Sequence, residues 1–205
     1  MSYFITGTDT GVGKTYVTAL AVKALRAEGK DAVGCKPVCC GDRDDAELLA
    51  AASGGMDLDQ VNPVWLRSPL APYVAGLLEN RSLSLEDMVG PCRRLMDSHQ
   101  TVLVEGVGGW EVPVGPGLKV SDVAVELGLP VVVVVANRLG ALNHTLLTVQ
   151  AVQARGLRCE GVVLNQLEDE LDTAAITNKG VIEDLTGVPL LAHLIYGQDE
   201  IEVWG

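Results

Sequence analysis

A glycine-rich loop lies between the first apolar run of the chain, Tyr3–Ile5, and its first helical stretch. The loop reads Gly7-Thr8-Asp9-Thr10-Gly11-Val12-Gly13-Lys14-Thr15. Glycines let the backbone curl so that successive N–H groups face an anion, and the N-terminus of the following helix adds partial positive charge. Lys14 can reach outer phosphates, and the Thr15 hydroxyl can bind Mg²⁺. The segment predicts a nucleotide phosphate-binding loop, with five residues where the common pattern has four between the first glycine and Gly-Lys-Thr.

The apolar runs are short, rich in β-branched residues and separated by helical patterns, which predicts a parallel sheet with crossover helices. We expect a three-layer α/β fold of the P-loop NTPase type, in one domain over residues 1–205. Strands are predicted near Tyr3–Thr6, Ala32–Val38, Thr101–Glu105, Val131–Ala136, Glu160–Asn165 and Leu190–Leu194. Helices are predicted at Thr15–Glu28, Asp45–Ala52, Leu70–Leu78, Leu85–Ser98 with Ser84 as cap, Ser121–Leu127, Asn143–Arg155 and Thr173–Thr186.

Charge and cysteine usage exclude several classes of protein. A net charge of -12 argues against a nucleic-acid partner, because phosphate contacts need a basic face. The five cysteines have no zinc-ligand spacing and indicate reduced thiols. The first residues do not have the pattern of a secretory signal, and the longest aliphatic run, Val131–Ala136, is too short to span a bilayer. We therefore expect a cytoplasmic protein with neither a nucleic-acid nor a membrane partner.

Ligands of open α/β sheets bind at the carboxyl ends of the strands, where several polar residues of this chain are expected. Glu105 ends an apolar strand, the place where an NTPase usually carries its metal-directed acid. Asp44 and Asp45 follow the second strand, and position alone does not choose between them. Lys36 lies in an apolar strand end, so it either faces an anion or reaches the surface. The glycines after Glu105 permit a close backbone approach to a ligand or simply form turns.

A second candidate site is the start of the helix that follows the fourth strand. There, Gly140–Asn143 could present free N–H groups to a carboxylate, with Asn143 as the helix cap. His144, in the first turn, is more often structural than catalytic. Cys39 and Cys40 are expected to be packing residues.

Four sequence blocks together resemble the dethiobiotin synthetase family, and weaker likeness runs from about residue 2 to 195. The blocks are Thr6–Thr10 with Val12–Thr15, Lys36–Val38 with Gly41, Val104–Gly106 with Gly108–Trp110, and Leu139–Gly140 with Asn143–His144. The resemblance implies conversion of 7,8-diaminopelargonate, CO₂ and Mg·ATP into dethiobiotin, ADP and phosphate by a homodimer.

The resemblance also implies the role of each site residue. Lys14 and Lys36 would act on the γ-phosphoryl group and the carbamate, with Thr10 on the loop beside them. Metal ligands would be Thr15, Asp45 and Glu105. The nucleotide would be bound by Gly7, Thr8, Asp9, Gly11, Val12, Gly13, Lys14, Thr15, Gly108 and, at the adenine edge, Asn165. The substrate would contact Lys36, Cys40, Gly140, Ala141, Leu142 and Asn143, the last four reached across the dimer interface.

The sequence departs from the family pattern in three places. Gly11 stands where many members carry glutamate, Cys40 replaces a serine or threonine, and the proline that many members place beside the base is missing near Leu194–Tyr196. The departures at Gly11 and Cys40 leave an inactive relative as one alternative.

Two other functions remain as alternatives. A partitioning or septum-site type of regulatory ATPase shares the fold, but its loop normally begins with a lysine, whereas Thr6 precedes Gly7 here. Its membrane-bound members end in a basic amphipathic helix, and the segment Gln198–Glu202 is acidic. The synthetase half of a cobalamin-pathway amidotransferase would need a glutaminase domain, which we do not expect after Gly205.

Overall fold

The computed structural model describes residues 1–170 and 172–204. Its strands are β1 Tyr3–Gly7, β2 Ala32–Cys35, β3 Val38–Cys40, β4 Val64–Leu66, β5 Thr101–Gly109, β6 Pro113–Gly115, β7 Leu118–Lys119, β8 Val131–Ala136, β9 Cys159–Asn165 and β10 Leu190–Leu194. Its helices are α1 Lys14–Ala27, α2 Asp44–Ala52, α3 Leu58–Val61, α4 Pro72–Leu78, α5 Leu85–Ser98, α6 Val120–Leu127, α7 Ala141–Ala154 and α8 Thr173–Thr186. Each helix within these ranges is too short or too polar to span a lipid bilayer.

Six parallel strands form the central sheet in the order β10-β9-β8-β1-β5-β2. Successive side chains of β1 point to opposite faces of the sheet. Phe4 packs with residues of α5 to α8 on one face, and Ile5 packs with residues of α1 and α2 on the other. Because both faces of the sheet are covered, its central strands are continuous apolar runs, such as the fully buried β8. The prediction of a three-layer α/β fold with these six strands is confirmed.

The middle of this sheet is where the chain reverses its direction of winding. From β1 the chain passes to β2 and β5 on one side, and then to β8, β9 and β10 on the other. In open α/β sheets such a reversal leaves a crevice above the carboxyl ends of the strands. The loop that follows β1 lies at this crevice.

The second strand is shorter than predicted. It ends at Cys35, and Val38–Cys40 pairs instead with β4, a strand that the sequence did not indicate. Pro37 cannot donate a ladder hydrogen bond, so it interrupts the strand. The backbone N–H of Lys36 donates to Val61 O at 2.8 Å, and the chain leaves the main sheet at this residue.

The third predicted strand is longer than expected, because β5 continues past Glu105 to Gly109. Its pairing with β1 shifts register between Ile5 and Gly7, and Gly7 then pairs with Gly109. This extension brings the glycine segment against the end of β1. The hairpin β6–β7 and helix α3 were also not predicted.

Helix starts agree with the predictions to within two residues, and one cap was wrong. Ser84 caps α5, and its hydroxyl and the Asp87 side chain form a reciprocal capping box. Asn143 does not cap α7: the N-cap is Gly140, at φ 90°, and Asn143 lies exposed in the first turn. A glycine takes this left-handed conformation without the steric cost that a side chain would add, so the helix begins earlier than predicted.

Candidate active site

The loop between β1 and α1 has the curled backbone of an anion site. Gly11 and Gly13 have φ of 73° and 84°, and Gly13 is the N-cap of α1. The Lys14 ammonium folds back on the loop, with Nζ donating to Asp9 O at 3.0 Å. A neutral carbonyl is therefore the hydrogen-bond partner of this charged group.

Asn165, at the end of β9, holds the far side of the loop. Its buried side chain donates from Nδ2 to Val12 O at 3.0 Å. A Cβ added to Gly13 would lie 2.1 Å from the same Nδ2, so only glycine fits there. Asn165 thus positions the loop, a role that its assignment to the adenine edge did not anticipate.

Four side chains from separate elements meet beside the loop. Lys36, after β2, places Nζ 2.7 Å from Asp45 Oδ2 and 2.5 Å from Glu105 Oε1. The Thr15 hydroxyl, in the first turn of α1, donates to the same Glu105 oxygen at 2.7 Å. Asp44, one residue before Asp45, is exposed and has no place in this cluster. Lys36 therefore faces anions rather than solvent.

Burial strengthens the interaction between the charges of Lys36 and Glu105 in this cluster. Glu105 is fully buried and Lys36 is 2% exposed. Burial opposes the charge of Lys36, yet the carboxylates of Glu105 and Asp45 outweigh it and raise the lysine pKa above its ordinary value. Burial likewise opposes the charge of Asp45, but Lys36 holds the pKa of that carboxyl below its ordinary value.

Lys14 shows the opposite behaviour in the same site. Burial and then repulsion by Lys36 lower its pKa to about 8, and among the described residues no carboxylate makes a direct contact with it. The two lysines of the cavity thus differ in the negative charge around them. Lys36 contacts two carboxylates, whereas an anionic ligand would stabilise the charged form of Lys14.

The cluster has the donors that a magnesium ion needs. Glu105 Oε2 is buried and has no hydrogen-bond partner among the residues that the structure describes. A cation would satisfy this oxygen, whose burial alone is costly. Mg²⁺ binds through one or two carboxylates and keeps its other positions for water and phosphate oxygens. Two carboxylates and the Thr15 hydroxyl fit that requirement. A metal site built from three or more His, Cys, Asp or Glu side chains does not occur in residues 1–170 and 172–204.

A cavity of about 710 Å³ opens onto the loop and the cluster. Its polar side is lined by Thr10, Gly11, Gly13, Lys14, Thr15, Lys36, Asp45 and Gly108, and its other side by Tyr16, Cys39, Cys40, Leu48, Pro69, Leu70, Ala71, Pro72, Val107 and Val112. Burial raises the pKa of Cys40 to about 11, so this thiol stays protonated at neutral pH. The volume suits a nucleotide tail together with a small amphiphilic molecule.

Sequence reasoning and structure differ at the edges of this cavity. The sequence analysis did not predict that Leu48, Leu70 and Val112 form an apolar wall of the cavity. The segment Pro69–Pro72 before α4 is the sequence feature that could have indicated this wall. The segment Gly140–Asn143 is not among the lining residues of the cavity. In this segment Ala141 is buried and Asn143 is exposed at the start of α7.

Solved structures with this architecture include other P-loop proteins. The MinD cell division protein of Aquifex aeolicus matches with a TM-score of 0.60 and 19% identity, covering 95% of this chain and 81% of MinD. Chloroplast FtsY of Physcomitrella patens matches with a TM-score of 0.62 and 16% identity, covering 100% and 62%. At such low identity these likenesses show the fold alone.

Sequence relatives are much closer. The AAA domain family matches residues 1–199. The ATP-dependent dethiobiotin synthetase BioD of Akkermansia muciniphila is 49% identical, over 98% of this chain and 95% of the relative. The protein of the same name from Anaeromyxobacter dehalogenans is 45% identical, over 96% and 90%. With this identity over nearly its whole length, the chain belongs to the ATP-dependent dethiobiotin synthetase family.

Proposed function

We propose that this chain converts 7,8-diaminopelargonate, CO₂ and Mg·ATP into dethiobiotin, ADP and phosphate. The observation that carries the proposal is the cluster of buried Lys36 and Glu105 with half-buried Asp45 and Thr15 beside the phosphate loop, in a chain of the dethiobiotin synthetase family. The cluster combines oxygen ligands for a metal with a lysine that can face a transferring phosphoryl group.

The reaction needs no nucleophilic side chain. One amine of the substrate captures CO₂ as a carbamate, and a carbamate oxygen attacks the γ-phosphorus to release ADP. The second amine then attacks the carbonyl of the mixed carbamic–phosphoric anhydride, closes the five-membered urea ring and expels phosphate. Such chemistry depends on positioning and on neutralising charge.

The described residues divide this work between them. Loop N–H groups from Gly7 to Thr15, together with Gly108, would bind the phosphates, and Lys14 would leave Asp9 O to meet the outer ones. Thr15, Asp45 and Glu105 would hold Mg²⁺, which when bound neutralises phosphate charge. Lys36 would face the carbamate and the transferring group, with Thr10 and Cys40 beside the diamine. The wall around Leu48 and Leu70 is suited to the methylene chain of the substrate.

The remaining assignments concern the assembly and the nucleotide base. Gly140–Asn143 would bind the distal carboxylate of a substrate held in the neighbouring subunit of a homodimer, because helix N-termini attract anions. Asn165 would read the adenine edge while its Nδ2 supports the loop. We assign residues 1–205 to a single cytoplasmic domain, of which Leu171 and Gly205 lie outside the described residues.

One assay tests the proposed function: phosphate release from Mg·ATP and bicarbonate, with and without 7,8-diaminopelargonate, with dethiobiotin detected by mass spectrometry. We expect phosphate and dethiobiotin in equal amounts, and only when the diamine is present. A regulatory ATPase would release phosphate without the diamine and form no dethiobiotin. Either of those results would refute the proposal.

A further inference from the structure

Lys36 makes contact with the same two carboxylates that are proposed to hold the metal. Its Nζ lies 2.7 Å from Asp45 Oδ2 and 2.5 Å from Glu105 Oε1. The contact with Asp45 has the length of a charge-assisted hydrogen bond, and the contact with Glu105 is shorter still. Since Lys36 is 2% exposed and Glu105 fully buried, this ammonium is the main counter-ion of the cluster.

We propose that Lys36 is an internal counter-ion that competes with Mg²⁺ for Asp45 and Glu105, and that Mg·ATP releases it towards the phosphates. The inference rests on the proposed function, since it takes the metal site as given. It adds an ordered exchange of cations: the lysine neutralises the acids first, and the divalent ion replaces it.

The electrostatic argument starts from the number of charges at one place. Asp45 and Glu105 carry two negative charges, and Lys36 supplies one positive charge, so the cluster keeps an excess of negative charge. A divalent ion bound to these carboxylates would lie within a few ångströms of Nζ, where repulsion between cations is strong because Lys36 and Glu105 are buried. Mg²⁺ therefore binds more weakly while Lys36 keeps both contacts than it would without this lysine.

The displaced ammonium has an anion to move to. Lys36 lines the same cavity as Lys14 and the phosphate loop. A phosphate or carbamate oxygen in that cavity would replace the carboxylates as its partner. The lysine thus exchanges one anion for another without ever being buried and unpaired, which would be costly.

Lys14 provides a matched control within the same cavity. It is also buried, at 6% exposed, and its charge interacts with Asp45 and Glu105 through space. Its Nζ, however, donates to the backbone oxygen of Asp9. Loss of Lys14 removes a nearby positive charge, whereas loss of Lys36 removes both a charge and the direct occupant of the carboxylate oxygens.

The test measures divalent-metal binding to the full chain without nucleotide, using Mn²⁺ followed by electron paramagnetic resonance and Mg²⁺ by calorimetry. We expect Lys36→Gln and Lys36→Met to bind either ion at least about tenfold more tightly than the wild type, and Lys14→Met to change affinity by less than about threefold. Unchanged or weaker binding in the Lys36 variants, or an equal effect in Lys14→Met, would overturn the exchange.

A further measurement separates failure of this inference from failure of the proposed metal site. Glu105→Gln should abolish tight metal binding with or without Lys36. If it does not, the metal site itself is wrongly placed, whatever the lysine does.

If the Lys36 substitutions prevent folding, the wild type still decides the exchange. The ¹⁵Nζ signal of Lys36, assigned in the wild type by through-bond correlations along the side chain to the Lys36 backbone, should shift when Mg²⁺ and a non-hydrolysable ATP analogue are added together. An unchanged signal at saturation would refute the release of the lysine.

Discussion

The two proposed ends of the substrate site are built in different ways. At the phosphate loop, charged side chains from β5, α2 and the segment after β2 contact one another, and those of Glu105 and Lys36 are buried. At the start of α7, the first turn has no acidic residue and no side-chain cap, and Leu139 beside it is 81% exposed. Asp172 holds that turn from outside, accepting from Leu139 N at 3.1 Å.

This difference indicates what each end can do by itself. The cluster brings a lysine and two carboxylates together within one chain, so the proposed action on phosphates would need no charged residue from a partner. The α7 start offers only backbone N–H groups and a helix dipole, whose effect on an exposed anion is small. A carboxylate held there needs cover from a second surface, which agrees with the proposed homodimer.

The largest effect should come from removing either lysine of the cavity. Lys14→Ala and Lys36→Ala should each reduce turnover by about 10²-fold or more, because each removes a charge directed at the phosphoryl group. Steady-state kinetics, with circular dichroism to verify folding, measure this. If either variant folds and keeps near-wild-type turnover, the role assigned to that lysine is wrong.

A smaller effect should separate the acids. Glu105→Gln and Asp45→Asn should each raise the Mg²⁺ concentration needed for half-maximal activity by about tenfold or more, because each removes a proposed ligand. Asp44→Asn is the matched control, since Asp44 is exposed next to Asp45, and its titration should coincide with that of the wild type. Equal shifts for Asp44 and Asp45 would mean that the metal does not bind at the cluster.

The pH dependence of ATP binding should report on Lys14. Its pKa of about 8 should rise when phosphates bind, so binding takes up a proton above pH 8. The affinity contributed by Lys14 should then be constant below about pH 7 and fall by up to about tenfold per pH unit above pH 8. Calorimetry across this range tests the prediction, with Lys14→Arg as the control that keeps its charge. The same fall in Lys14→Arg would assign the titration to another group.

The smallest effect is expected at α7. Esterifying the carboxylate of 7,8-diaminopelargonate should weaken its binding by about fivefold, a size within the range of contacts between an anion and a helix N-terminus, and leave ATP binding unchanged. Calorimetry with the acid and the ester measures this, and sedimentation with dilution tests whether the substrate affinity falls as dimers dissociate. Equal affinity for the acid and the ester would eliminate the carboxylate site at α7. A monomer that binds the acid with undiminished affinity would eliminate a site shared between two subunits.

Local patterns predicted much of the fold correctly and failed where distant segments meet. Short apolar runs predicted all six strands of the main sheet, most clearly for central strands such as β8, because a strand buried on both faces must be apolar throughout. Strand β4 escaped notice, since Val64–Leu66 is short and depends on pairing with β3. Asn143 was wrongly expected to cap α7. Gly140 and Asn143 lie in the same segment, and both glycine and asparagine can occupy a helix N-cap.

The sequence by itself determined the phosphate loop and the parallel α/β sheet, because glycine conformation, helix capping and apolar periodicity act between residues close in the chain. It could also mark Lys36 as a charge that needs an anion, but not say which one. The family resemblance already favoured Asp45 over Asp44, but only the tertiary structure joined Asp45 to Glu105 through Lys36 and tied Asn165 to Val12 O. Those contacts link residues far apart in the chain, and they depend on the strand order, which no local propensity encodes.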